Sequence, residues 1–341
     1  MPVIQSNYTA PPLFKNAHIA TIYAATLRKV NFKSEKRERL ELSDGDFLDL
    51  DWAFSKNQTK KLVISMHGLA GNANRPYMLG MGKIFTENSW DYCAMNFRSC
   101  SGEINRLYRS YNAGATEDLE EVLDHIFRKN NYEHIALVGF SLGGNLLLKY
   151  LGERDQLPPQ IKVAVAVSTP CDLGASLEAL NLPKNKLYSR RFEKNLKDQL
   201  FERQLAFPKE LEKQQISACN SLLAIDELYT SRAHGYASAS EYYEKCSCLQ
   251  FLSNIKIPTL LLNAENDTFL TSASFPKKIA EKSAFLHLEI PKHGGHVGFI
   301  QHKKIYYQEE RALQFIQITF SVPVGSFLQL NYSILFALPE N

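Results

Sequence analysis

In "HIALVGFSLGGNLLLKY", residues 134–150, one serine, Ser141, stands between Gly139 and Gly143. This is the G-x-S-x-G spacing that raises a serine on the sharp turn from a strand into a helix. Such a turn strains the backbone and exposes the side chain, and small neighbours let adjacent backbone pass close by. A serine hydroxyl is a poor nucleophile at neutral pH, so attack on a carbonyl requires a base within hydrogen-bond reach and a third group to orient that base. Nine histidines compete for the role of base. "PKHGGHVGFI" places His296 in a Gly-rich loop late in the chain, after the strand-like "FLHLEI", with His293 as its nearest rival. For the acid, "PTLLLNAENDTFL" offers Asp267 just past an aliphatic run. Glu265 is closer to that run, and Asp172 follows an earlier one. Position favours Asp267 without excluding the other two.

Acyl transfer also builds negative charge on the carbonyl oxygen, and backbone N–H groups aimed at it can contribute several kcal/mol. "VISMHGLAGN" follows a strand-like run, and Leu69 would supply one such N–H. Leu142, directly after the serine, would supply the other. His67 reads as a structural residue of its turn rather than as a participant.

The serine's surroundings imply strand, turn and helix in that order. Ile135–Val138 is a β-branched and aliphatic run, and Asn145–Tyr150 reads as the start of a helix. Similar apolar runs recur at Leu62–Met66, Tyr92–Phe97, Val163–Val167 and Thr259–Leu262, with helical stretches such as Thr116–Arg128 between the earlier ones. Alternation of this kind predicts an α/β fold with a mostly parallel, doubly wound sheet. Before it, "ERLELSDGDFLDLDWAF" alternates on both sides of Asp44-Gly45 and predicts an antiparallel hairpin. From Asp172 to Gln250 strand-like runs vanish and "RRFEKNLKDQLFERQLAFPKELEKQQ" is charged and helical. Residues 172–250 are therefore expected to form a helical cap inserted in a core made of 1–171 and 251–320, a second domain being the alternative. Residues 321–341 are a C-terminal extension, where apolar side chains from Leu328 to Leu338 recur at period two, as in a half-buried strand.

Composition narrows the class. The chain has 341 residues, 45% of them hydrophobic, enough for a sizeable core. A net charge of +3 without a block of Lys or Arg gives no footprint for nucleic acid. Six scattered cysteines lack paired spacing, so neither a disulfide framework nor a metal site is expected, and a reducing, cytoplasmic location fits. No secretory leader and no run long enough to span a bilayer are read in the sequence.

"PPLFKNAHIATI", "HGLAGN", "NFRSCSGEINRLYRSYNAGATEDL", "GFSLGGNLLLKYLGE", "IDELYTSRAHGYASASEYYEKCS", "IPTLLLNAENDTFL" and "HGGHVGFI" occur in that order within residues 10–318. The series resembles the YheT-like branch of the α/β-hydrolase superfamily, predicted carboxylesterases related to eukaryotic lipid-acting hydrolases. The resemblance implies an α/β-hydrolase fold and a triad of Ser141, Asp267 and His296, with Asp172 and His293 in structural roles. Two positions depart from the family pattern, Ser99 where glycine is usual and Asn112 where histidine is usual. Neither is a triad position, so they bear on the pocket rather than on the chemistry.

The function this implies is hydrolysis of carboxylic esters, with medium-chain or lipid-like acyl groups, through an acyl-enzyme that needs no cofactor and no metal. The partner is a small-molecule ester. The same triad would serve acyl transfer to an alcohol or thiol, and the fold can also serve as a binding protein without chemistry. Arg98, Arg106 and Arg109 could clamp a phosphate or carboxylate, but internal ion pairing is the expected role. Tyr236, Tyr242 and Tyr243 could line an acyl pocket or simply pack the cap. Asp226 reads as structural, and Cys246 with Cys248 lacks the further ligands a metal would need. The tail is expected to be an added surface strand on this chain, with pairing to another chain and peripheral membrane contact as the alternatives.

Overall fold

The computed structural model describes residues 3–321. Nine strands form one sheet: β1 (Val3–Ile4), β2 (Lys36–Glu41), β3 (Phe47–Ala53), β4 (Lys61–Met66), β5 (Asp91–Asn96), β6 (His134–Phe140), β7 (Ile161–Val167), β8 (Thr259–Leu262) and β9 (Leu286–Glu289). Their order is β1-β9-β8-β7-β6-β4-β5-β3-β2. The strands from β1 to β5 along that order run parallel, while β3 runs antiparallel to both β5 and β2. The β2–β3 hairpin and all five apolar runs therefore take the roles that their patterns predict.

Central strands such as β7 ("IKVAVAV") are aliphatic and buried apart from Lys162 near the strand's start, because helices cover both faces. Leu62 and Ile64 of β4 join one buried cluster with Leu119, Val122, Leu123 and Ile126 of helix 116–129, whereas Val63 joins the opposite cluster with Met81 and Phe85 of helix 76–86. The outer strand β2, "KRERLE", keeps Lys36, Arg37, Arg39 and Glu41 toward solvent, which suits an edge, while Glu38 lies against His125 of helix 116–129.

The helices in chain order are α1 (Ala17–Ile22), α2 (Pro76–Thr86), α3 (Thr116–Lys129), α4 (Leu142–Glu153), α5 (Leu173–Asn181), α6 (Lys186–Ala206), α7 (Lys213–Ala218), α8 (Leu222–Ile225), α9 (Ser231–Ala233), α10 (Ala239–Cys246), α11 (Lys277–Lys282) and α12 (Tyr307–Ser321). α4 begins at Leu142, one residue after the serine and earlier than its apolar run suggests. α5 to α10 lie between β7 and β8 without an intervening strand and form the inserted cap, with a small core around Leu200, Ile216, Ile225 and Tyr229. The period-two tail lies outside the described residues.

One consequence of the strand order positions the site. The chain leaves β4 toward β5 on one side and returns to β6 on the other, so β4 and β6 are neighbours, with Met66 opposite Gly139. Loops diverge at such a switch point and leave a crevice beyond the carboxyl ends of the strands.

Candidate active site

Ser141 sits at the switch point with φ 52° and ψ −119°, left-handed backbone that a non-glycine residue adopts at a cost of about 1–3 kcal/mol. The two glycines are explained by contact. A Cβ on Gly143 would lie 2.5 Å from the His67 carbonyl oxygen and 2.6 Å from that of Met66, and one on Gly139 would meet Gly144 Cα at 2.7 Å. The turn after β6 is thus pressed against the end of β4, and only glycine fits.

His296 arrives from the loop after β9. Its Nε2 is 2.9 Å from Ser141 Oγ and its Nδ1 is 2.8 Å from Asp267 Oδ2. The Asp267 side chain is fully buried, and its other oxygen accepts the Phe269 N–H at 3.0 Å. The Phe269 ring lies against the His296 imidazole, 4.4 Å between centroids. With Nδ1–H donating to the carboxylate, the imidazole keeps Nε2 free to accept from the serine hydroxyl.

The loop carrying His296 is pinned by three side chains that the sequence did not signal. Gly295 N–H donates to Asn266 Oδ1, His296 N–H to Thr21 Oγ1 of α1 and Val297 N–H to Ser168 Oγ, each at 2.9 Å. Gly294 and Gly295 both have positive φ, and so does Val297 at 57°, an outlier for a β-branched residue. Asn266 could have been noticed beside Asp267, but Thr21 is 275 positions from its partner and carries no local motif.

The loop after β4 holds a row of N–H groups. Gly68 N–H donates to the Tyr77 hydroxyl at 3.0 Å and Ala70 N–H to the Tyr111 hydroxyl at 2.9 Å. Leu69 N–H, between them, has no hydrogen-bond partner among the described residues, and neither has Leu142 N–H in the first turn of α4. His67 shapes the loop instead of facing it: Phe97 N–H donates to its Nε2 at 3.1 Å, so its Nδ1–H donates to the Gly68 carbonyl at 2.8 Å. Burial, helped by the Arg75 charge, pushes its pKa down to about 4 and keeps it neutral.

The rivals lie elsewhere. Asp172 caps α5, accepting the Ala175 N–H at 2.9 Å. Glu265 is exposed, and His293 has no hydrogen bond to Ser141.

The model of the alpha/beta hydrolase fold matches residues 61–303. The chain belongs to the α/β-hydrolase family. It is 35% identical over 292 residues to the protein named "Putative esterase YheT" of Escherichia coli (strain K12), covering 84% of this chain and 85% of that one. It is 27% identical over 293 residues to phospholipase ABHD3 of Homo sapiens, covering 83% of this chain and 71% of the relative. Among solved structures it resembles the Pyrococcus furiosus esterase Pf2001, with a TM-score of 0.58 at 16% identity over 85% of this chain and 92% of the other. That last likeness concerns the fold alone.

Above Ser141 this α/β hydrolase encloses a cavity of about 540 Å³, walled on the cap side by Leu177, Phe192, Leu196, Tyr242 and Tyr243. Tyr243 donates to Asp226 Oδ2 at 2.6 Å, and burial raises the pKa of Asp226. Tyr236 instead packs on Tyr242 and contacts Cys246. The three arginines of the sequence reading are ion-paired internally: Arg98 with Asp44, Asp46 and Asp118, Arg106 with Glu41, and Arg109 with Glu117. Of the departures from the family pattern, Ser99 has a φ of 63° and lines the cavity, while Asn112 accepts the Gly114 N–H at 2.7 Å. No described helix is long and apolar enough to cross a membrane.

Proposed function

We propose that the chain is a serine hydrolase of carboxylic esters, with Ser141 as nucleophile, His296 as base and Asp267 as the group that orients it. The observation carrying this reading is the unbroken hydrogen-bonded line from Asp267 through His296 to Ser141, 2.8 and 2.9 Å long, at the floor of a largely apolar cavity.

Ser141 Oγ attacks the ester carbonyl carbon as its proton passes to His296 Nε2, and Asp267 stabilises the imidazolium that forms. The oxygen of the tetrahedral intermediate is met by the N–H groups of Leu69 and Leu142, whose lack of protein partners supports this role. Collapse breaks the bond to the leaving alcohol, which takes the proton from Nε2 and departs, leaving an acyl-Ser141. Water then gives a proton to Nε2, its oxygen attacks the acyl carbon, and the second collapse returns the proton to Ser141 Oγ with release of the carboxylic acid. No step calls for a cofactor.

The apolar cap walls favour medium-chain or lipid-like acyl groups, a reading to which the phospholipase assignment of one relative adds weight. The test is a panel of p-nitrophenyl esters of graded chain length under stopped flow. Accumulation of an acyl-enzyme burst, absent in Ser141→Ala, is expected. Turnover that survives the substitution contradicts the proposal.

A further inference from the structure

Three arginines are almost wholly buried among the described residues: Arg98, Arg203 and Arg311. Arg98 has three carboxylate partners and Arg311 pairs with Glu289 at 2.6 Å. Arg203, on α6 of the cap and 3% exposed, has none. Its Nη1 donates to the carbonyls of Leu107 at 2.8 Å and Tyr108 at 2.9 Å, and its Nη2 to Ser99 Oγ. These partners satisfy hydrogens but do not balance charge, and an unbalanced cation away from water is costly.

Arg203 lines the same cavity as Ser141, and so does Arg75, at the start of α2. Arg75 is half-buried, donates to the Ala70 carbonyl at 2.6 Å and likewise forms no ion pair among the described residues. Cys100 lines the same cavity, and the charges of both arginines act against the rise that burial imposes on its thiol. The cavity's carboxylates do not neutralise them. Glu103 pairs with Arg39, Asp198 with Lys194, and Asp226 accepts from Thr230 and Tyr243 at 2.6 Å each. Glu202, next to Arg203 in sequence, also lines the cavity but is exposed to solvent and forms no ion pair with it.

We propose that Arg203 and Arg75 hold an anionic group, phosphate or carboxylate, of the ester that Ser141 attacks. The substrate is then an acylated alcohol with a fixed negative charge, gripped by one guanidinium from the cap and one from the loop that also carries Leu69. The inference rests on the serine-hydrolase reading and adds the chemical class of the leaving alcohol. Guanidinium suits both anions because its planar N–H fork matches two oxygens at once. Arg203 acts as a strut for the 107–109 loop as well, so a test must read something that a strut does not change.

Three hexanoyl esters supply that reading: those of glycerol, glycerol phosphate and glycerate, matched in chain and differing in charge. The expected result is a kcat/KM for at least one anionic ester about tenfold or more above that of the glycerol ester, phosphate against carboxylate telling which anion is used. That ratio, taken within one preparation so that folded fraction cancels, should fall toward one in Arg203→Gln and in the less buried Arg75→Gln, and should survive in part in Arg203→Lys. A neutral ester handled as well as both anionic ones, or a ratio that neither glutamine variant moves, overturns the proposal. The same esters titrated into Ser141→Ala by calorimetry decide the anion site by binding alone. Hydrolysis failing in the wild type therefore removes the hydrolase reading without deciding this one.

Discussion

The loops at the carboxyl edge of the sheet and the cap above them are built in opposite ways. Ala70, Ser99, Ser141, Ser168 and Val297 all have positive φ, and they follow β4, β5, β6, β7 and β9 in turn. Among the described residues the cap has positive φ only at Gly235. Strain therefore collects where the candidate chemistry is, and persists because glycine contacts and side-chain hydrogen bonds over-determine each loop. The cap is mostly α-helix on a small apolar core, with one π-helical turn at Asp226–Thr230 and with Leu187 and Leu205 left exposed. On the proposed reading the difference is a division of labour: the sheet edge would fix the reacting groups to within a hydrogen bond, and the cap would select what reaches them.

The largest effects should follow changes at the edge. Ser141→Ala or His296→Ala should lower kcat by about 10⁶-fold, and Asp267→Asn by about 10⁴-fold with the fold kept, whereas His293→Ala and Asp172→Asn should retain most turnover. A folded, near-normal Asp267→Asn beside a dead Asp172→Asn would move the acid to the strand before the cap.

Cap substitutions should instead change selectivity. If acyl chains bury against its walls, each methylene is worth about 0.8 kcal/mol, close to fourfold in kcat/KM. Octanoyl esters should be well ahead of acetyl esters, and Phe192→Ala should shrink that lead more than it alters acetyl turnover. Equal rates for the two chain lengths in the wild type would break the comparison.

Glycines sharpen it on the side of stability. Gly143→Ala meets two carbonyl oxygens within 2.6 Å and should cost about 3 kcal/mol or more, whereas Gly235→Ala, with open space around it and only its φ of 77° against it, should cost about 1–2 kcal/mol. Thermal melting of the two variants compares them directly.

The sheet and the cap should also answer pH with opposite signs. His287 of β9 has its pKa pushed by burial from 6.5 down to about 4. The unfolded chain binds that proton first, so the contribution is complete above 6.5 and is lost as pH falls toward 4, by at most about 3 kcal/mol. Asp226 of the cap is raised by burial from 3.8, so its contribution is present below 3.8 and lost as pH rises through the folded value. Urea titrations across pH should show His287→Leu losing ground to the wild type as pH climbs from 4 to 6.5, and Asp226→Asn gaining on it as pH climbs from 3.8.

What the sequence discloses follows the range of the interaction. The serine turn, the hairpin and the parallel runs are local, and glycine spacing and aliphatic periodicity record them. The line from Asp267 to His296 is legible only as strand-end positions, because the contact joins two loops. Thr21 under His296 and Val3 paired with Leu288 tie the first residues to the last strand with no pattern in either segment. Arg203 is invisible in the same way. On α6 it is one cation among many, and only folding reveals it as the buried one without a carboxylate.

The central claim is that the sheet edge makes one serine a nucleophile. Treating the folded protein with a fluorophosphonate probe and mapping the modified peptide tests it most directly. The account predicts a single adduct, on Ser141, that disappears in Ser141→Ala and slows sharply in His296→Ala. An adduct that persists in Ser141→Ala, or a folded wild-type protein that takes up no probe, contradicts it.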